Sequence, residues 1–263
     1  MFCRFILGYI LCVFGSVWAV QKSTLEICFF DTGQGNLIAV RANNVDPKTD
    51  KITSKLIFVD CGSTLNKEKK YGEILRNEED PRNQKLLELF KDIPEYGILI
   101  THNHKDHDNL MEIIEKVGKK DKKERNVWAV RPMSEKTFLK YKEDPVNDDA
   151  PSKDRALTED WKNFCDDDLQ HIENSLGPSV KIIPIRPERW ERYGSKSQNR
   201  EHDFNMMYLV RYEGRRMLFT GDVSPQLFMQ IMRIPQYRRE ITAVDFWVLS
   251  HHGTNQAGEL LRI

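Results

Sequence analysis

Apolar residues along the chain fall into short runs separated by polar turns, the pattern of a protein built from strands and helices in layers. Thr24 to Phe30 and Leu37 to Arg41 predict two strands joined by the turn DTGQGN. Gly33 and Gly35 in that turn can take positive φ, so a hairpin or close strand connection is expected. Lys55 to Val59 predicts a strand ended by DCGS, and Gly97 to Thr101 a short inner strand. Between them, Lys67 to Asp92 is charged but carries an apolar stripe of Leu86, Leu87, Leu89 and Phe90, which predicts a surface helix packed on a sheet. Leu110, Ile113, Ile114 and Val117 recur at helical spacing, and Val127 to Val130 is strand-like. From Pro132 to about Gly177 the chain turns polar and acidic, with Trp161, Phe164, Leu169 and Ile172 spaced for a helix. This reads as an insertion in a fold whose strands resume at Val180 to Ile185. Asn205 to Tyr212 and Met217 to Thr220 flank the turn EGRR and predict a hairpin leading into GDVS. Phe228 to Met232 predicts a helix, and the apolar strand Ala243 to Leu249 delivers SHHGTN at its end.

The first residues change the picture of where the chain works. Arg4 precedes an apolar run from Phe5 to Val20, with small residues near Ser16 and Ala19, which reads as a secretory signal peptide. Residues 1–20 are then a leader and residues 21–263 one domain, with the polar insertion around 132–177, in an exported, periplasmic or secreted protein. A retained N-terminal anchor, which would tie the protein to a membrane, and a mis-assigned start are the alternatives. Export would leave Cys28, Cys61 and Cys165, an odd number with no zinc-knuckle spacing. A disulfide framework is therefore not expected, and Cys28 and Cys61 read as buried free thiols. Lys and Arg together number 40, as do Asp and Glu, so net charge makes no case for a nucleic-acid or acidic-membrane partner. The stretch GKKDKKER reads first as a solvated helix end, although it and Lys105 are the basic groups available to meet a phosphate.

The chemistry is concentrated in THNHKDHDN. Three of the chain's seven histidines, His102, His104 and His107, fall within six positions beside Asp106, directly after the strand GILIT. Imidazole and carboxylate suit zinc, manganese or iron, and a divalent ion lowers the pKa of bound water enough to supply hydroxide near neutral pH. Alternate residues His102 and His104 can turn to one ion while Asp106 and His107 reach a neighbouring one. Asp222 in GDVS reads alone as a helix cap, and beside the histidine motif as a ligand. Asp31 and Asp60 each end a strand before a glycine-containing turn.

The ordered set FFDTGQGN, LIFVDCGS, THNHKDHDN, LFTGDVS and VLSHHGTN resembles the metallo-β-lactamase superfamily, and within it the hydrolase domain of ComEC-type DNA-uptake proteins and their stand-alone relatives. The resemblance implies an α/β fold, a four-layer αββα sandwich, with the metal centre at one edge between two sheets. It implies that His102 and His104 hold one ion, that Asp106 and His107 hold a second, and that Asp222 bridges the two. Either His251 or His252 would complete the second site. His202 is the candidate for the ligand between the histidine run and Asp222, with a solvent-facing histidine as the alternative. Asp106 and Asp222 carry the catalytic roles, while Asp31 and Asp60 would stand behind the ligands. Asp60 is expected to orient an imidazole through the ring's other nitrogen. Two departures stand out: Asp108 and Asn109 occupy positions where the family has small glycines, and the chain stops eleven residues after His252, where relatives continue through another strand and helix. A C-terminally reduced sandwich with an exposed edge open to a partner or a second copy is therefore expected.

The function implied is a binuclear hydrolase of a phosphodiester or nucleic acid, with zinc the first choice of metal and manganese or iron the alternatives. Two other readings compete with it. One is a catalytically impaired exported or envelope protein that uses the scaffold for binding. The other is a hydrolase of a lactone, thioester or small phosphate ester.

Overall fold

The structure, a computed structural model, describes residues 23–33, 35–46, 48–64, 67–119, 125–130, 132, 180–187 and 204–248. The leader, most of the insertion and the SHHGTN segment lie outside the described residues. Among those described, no helix is long and apolar enough to cross a membrane.

Two mixed sheets form the frame. The first has the order β1-β2-β3-β4-β5, from β1 (Thr24–Phe29), β2 (Leu37–Val45), β3 (Ile52–Cys61), β4 (Glu95–Leu99) and β5 (Asn126–Val130). The second has the order β6-β7-β8-β9, from β6 (Val180–Ile185), β7 (Met207–Tyr212), β8 (Arg215–Phe219) and β9 (Phe246–Val248). β1, β2 and β3 run antiparallel, as the DTGQGN hairpin requires, whereas β3, β4 and β5 are parallel and connected through helices. In the second sheet β6, β7 and β8 are antiparallel, and β9 joins β8 in parallel.

Strand alternation then builds the interior. One set of side chains, including Ile38, Val40, Ile57, Val59 and Leu99, packs against Val180, Ile182, Tyr208, Val210 and Phe219 from the other sheet. The opposite face of the first sheet carries Phe58, Tyr96 and Ile98 against α1 (Glu68–Arg76), α2 (Pro81–Phe90) and α4 (Met111–Gly118). The opposite face of the second sheet packs Leu209 and Leu218 on Leu227, Phe228, Ile231 and Ile241 of α5 (Pro225–Arg233) and α6 (Pro235–Ile241). The molecule is thus an αβ/βα sandwich, with helices flanking two facing sheets.

Four sequence expectations need correction. The charged stretch after DCGS forms two helices, because Pro81 cannot extend an incoming helix: it lacks the N–H, and its ring collides with the carbonyl four residues back. The Asp80 carboxylate instead accepts the Arg82 N–H at 2.9 Å and caps the start of α2. Of the strand expected over Ala243 to Leu249, the described residues begin β9 only at Phe246, which is 45% exposed, and Leu249 lies outside the described residues. Asp245 departs from it because its N–H donates to the Arg216 carbonyl while its carboxylate accepts from the Arg216 N–H and Arg215, locking the approach to β9 as a loop. Arg125, expected on a basic surface, is buried and donates to the carbonyls of Phe90, Ile93 and Gly118 at the ends of α2 and α4. Neither described cysteine is in a disulfide; Cys61 is buried as expected, while Cys28 on the edge strand β1 is half-buried.

Candidate metal centre

The parallel strands β3 and β4 end side by side, so DCGS and THNHKDHDN start from adjacent positions. β8 ends opposite them and releases Thr220, Gly221 and Asp222. The two sheets are tied where the motifs meet: the Tyr208 hydroxyl donates to the Ile100 carbonyl at 3.0 Å, and the Met206 N–H donates to the Thr101 carbonyl at 2.7 Å. Asn36, at the end of DTGQGN, accepts the Gly62 N–H through its carbonyl and donates its own N–H to the Asp106 carbonyl. The Asn109 side-chain oxygen accepts from the Ser63 N–H and hydroxyl, while its amide donates to the Ser63 carbonyl. Asn109 thereby braces DCGS against the histidine loop.

Glycine makes the approach of these loops feasible at two positions. A Cβ on Gly62 would stand 1.7 Å from the Asp106 carbonyl oxygen, and one on Gly221 would stand 2.4 Å from the Thr101 hydroxyl. Gly221 also has φ +56, a left-handed conformation that a side chain would strain.

Within this junction His102, His107 and Asp222 form a buried group whose ligand atoms all lie within 4.8 Å of one another. It is the one candidate metal site among the described residues. Asp60 stands behind it. The Asp60 Oδ2 lies 2.7 Å from His107 Nδ1, and Oδ1 accepts the Thr101 N–H at 2.7 Å. The Thr101 hydroxyl donates to this carboxylate and sits 3.2 Å from His102 Nδ1 and 3.4 Å from His107 Nδ1. With the carboxylate accepting the His107 Nδ1–H, the Nε2 atom of that ring points to the cluster, 3.5 Å from Asp222 Oδ1. Burial pushes the His107 imidazolium down, but the Asp60 charge and hydrogen bonds to Asp222 and Asp60 outweigh it and hold its pKa up at about 10. A proton on Nε2 occupies the place that a cation bound by His107 and Asp222 would take.

The donor set fits a divalent ion. Two imidazoles and one carboxylate are the ligands of a three-coordinate protein site with a position left for water or substrate, and ligand histidines are held from behind by a carboxylate in the way that Asp60 holds His107.

The other residues singled out from the sequence fall as follows. His104 is half-buried, its ring centroid 4.6 Å from that of His102, and it precedes the single helical turn α3 (Lys105–Asp108). That turn returns His107 toward His102, their ring centroids 4.1 Å apart, and the His107 N–H donates to the His104 carbonyl. The compact group therefore brings His102 together with His107 and Asp222, with the His104 ring beside that of His102. Asp106, on the same turn, is half-buried and outside that group. Asp31 does not join the site: its side chain is 85% exposed, its carboxylate accepts the Gly33 N–H at 3.3 Å, and Arg82 is its charged neighbour at 4.0 Å. His202, His251 and His252 lie outside the described residues. Sequence reasoning missed Thr101, whose hydroxyl joins Asp60 to both histidines; its place directly before the first histidine was the only signal.

No family model matches the chain, and no curated protein matches it. Among solved structures, a long-form RNase Z from yeast is similar with a TM-score of 0.39 and 11% identity, over 80% of this chain and 31% of that one. The chain thus spans less than a third of the length of that enzyme.

Proposed function

We propose that this chain is a metal-dependent hydrolase of the metallo-β-lactamase type, with the four-layer αββα arrangement and motif order of the ComEC-like subgroup. The observation that carries the reading is the buried convergence of His102, His107 and Asp222 from opposite sheets, braced by Asp60. A divalent ion, zinc first, supplies Lewis acidity and a water of lowered pKa when bound there. The chain's own part is to hold the donors rigidly and to exclude bulk water. Thr101 and Asp60 fix the imidazole rings, and burial keeps the dielectric low around the reacting groups. A second ion is favoured by His104 beside His102 and by Asp106 on the turn that carries His107. The substrate proposed is a phosphodiester, on the motif resemblance.

The test is metal analysis of purified protein by mass spectrometry, followed by turnover of a chromogenic phosphodiester, a phosphomonoester, a lactone and a thioester by wild type and Asp222→Ala. We expect one to two equivalents of zinc, manganese or iron and phosphodiester cleavage that falls to background in the variant. Turnover of the lactone or thioester alone would keep the hydrolase and replace the substrate class. Equal background turnover in both proteins would favour a binding protein on this scaffold, and no bound metal after reconstitution would remove the site reading altogether.

A further inference from the structure

We propose that Asn205 is a positioning residue that sets where the Asp222 carboxylate stands relative to His102 and His107. The inference rests on the metal-site reading above and deepens it. Asn205 is fully buried, and its carboxamide spans a single residue, Gly221. The Asn205 Nδ2 donates to the Thr220 carbonyl at 2.8 Å, and its Oδ1 accepts the Asp222 N–H at 2.9 Å. Both sides of the left-handed turn at Gly221 are therefore clamped by one planar group. Only an amide carries a donor and an acceptor at that spacing in a side chain of this size.

The clamp also reaches the other sheet. The next residue, Met206, donates its N–H to the Thr101 carbonyl, and the hydroxyl of that same Thr101 contacts Asp60, His102 and His107. Asn205 and Met206 are thus two adjacent residues, one fastened to the turn that bears Asp222 and the other to the strand end that bears the histidines. There is no slack between them: a Cβ on Gly221 would stand 2.4 Å from the Thr101 hydroxyl and 2.5 Å from the Asn205 Oδ1. Ligand atoms contributed by two sheets bind one ion only while their separation is held to within about 0.5 Å, and this connection holds it.

Asn205→Asp is the decisive variant. It keeps the shape and the acceptor for the Asp222 N–H but sets an oxygen against the Thr220 carbonyl. The added negative charge would by itself strengthen cation binding, so a loss of affinity reports geometry. Asn205→Ala removes both bonds, and Ile231→Ala, in the helix on the outer face of the same sheet, serves as a destabilised control. Zinc affinity is measured by competition with a chromophoric chelator, the cobalt(II) visible spectrum reports ligand geometry, and circular dichroism and thermal midpoints report folding of the metal-free proteins. We expect both Asn205 variants to bind zinc about 10–100-fold more weakly with an altered cobalt band. Ile231→Ala should lose thermal stability yet stay within about twofold of wild type in affinity. Wild-type affinity and an unchanged cobalt spectrum in Asn205→Asp would overturn the proposal. If one variant does not fold, the other decides. If wild type binds neither zinc nor cobalt, it is the metal-site reading that fails, and the inference falls with it.

Discussion

A carboxylate at 1% exposure is tolerated where its charge and lone pairs are matched, and Asp60 is matched by the Thr101 N–H, the Thr101 hydroxyl and His107. Its φ of 59 lies in the left-handed region, which Asn also adopts readily, so Asp60→Asn leaves the backbone cost nearly constant and isolates the side-chain chemistry. Both Asp60 oxygens accept, so the new amide must set its NH2 against either the His107 Nδ1–H or the Thr101 N–H, and either choice loosens the hold on the ring. We expect zinc affinity to fall about 10–100-fold with the fold retained; unchanged affinity in a chelator competition would detach Asp60 from the site. In sequence Asp60 and Asp31 look alike, each ending a strand before a glycine turn. What separates them is strand position: β3 is interior and buries Asp60, whereas β1 is an edge and leaves Asp31 in solvent. The histidine run was legible because its ligands are sequence neighbours. Thr101 and Asn205 were not, because they act through hydrogen bonds that ordinary buried polar residues also make.

At the scale of elements, apolar runs revealed the strands well, since inner strands of two packed sheets are buried along much of their length. They said less about endings. The break before Pro81 and the loop held by Asp245 come from one proline and one carboxylate inside stretches whose overall pattern is continuous. They also hid the turn α3 that returns His107 toward His102, because a single turn is too short to show a period. The seating of that turn on DCGS gives a prediction of its own. Gly62→Ala places a methyl group against the Asp106 carbonyl, so α3 must move away from β3. A loss of about 1–3 kcal/mol in denaturant unfolding is expected, together with weaker zinc binding; a variant as stable and as tight as wild type would mean the loops adjust freely.

For the whole molecule, the raised His107 pKa couples the site to pH. The sign follows from the folded value of about 10 standing above the ordinary value of 6.5: in the metal-free protein this imidazolium adds stability at pH below the ordinary value, and that contribution is lost as pH rises through 10. A cation binding at Nε2 must displace the proton, so near neutral pH affinity should increase with pH and about one proton should leave per ion bound at this residue. Calorimetric titration of zinc in buffers of differing ionisation enthalpy measures that count, and an enthalpy independent of buffer would contradict it.

The division of the ligands between two sheets bears on the order of events when the chain folds. His102 and Asp222 stand about 120 residues apart in sequence, and neither sheet alone holds the complete cluster. A nascent chain that has made only its first five strands therefore has no Asp222 to offer, and the donors assemble only once the sheets have docked. Such late contacts act on the barrier to escape from the native state rather than on the barrier to reaching it. Zinc present during refolding should leave the rate nearly unchanged, while zinc bound beforehand should slow unfolding roughly tenfold for each 1.4 kcal/mol of binding free energy that the native state carries and the transition state lacks. Stopped-flow mixing with and without zinc separates the two, and acceleration of refolding would show the cluster forming early, with the ion acting as a template rather than a lock.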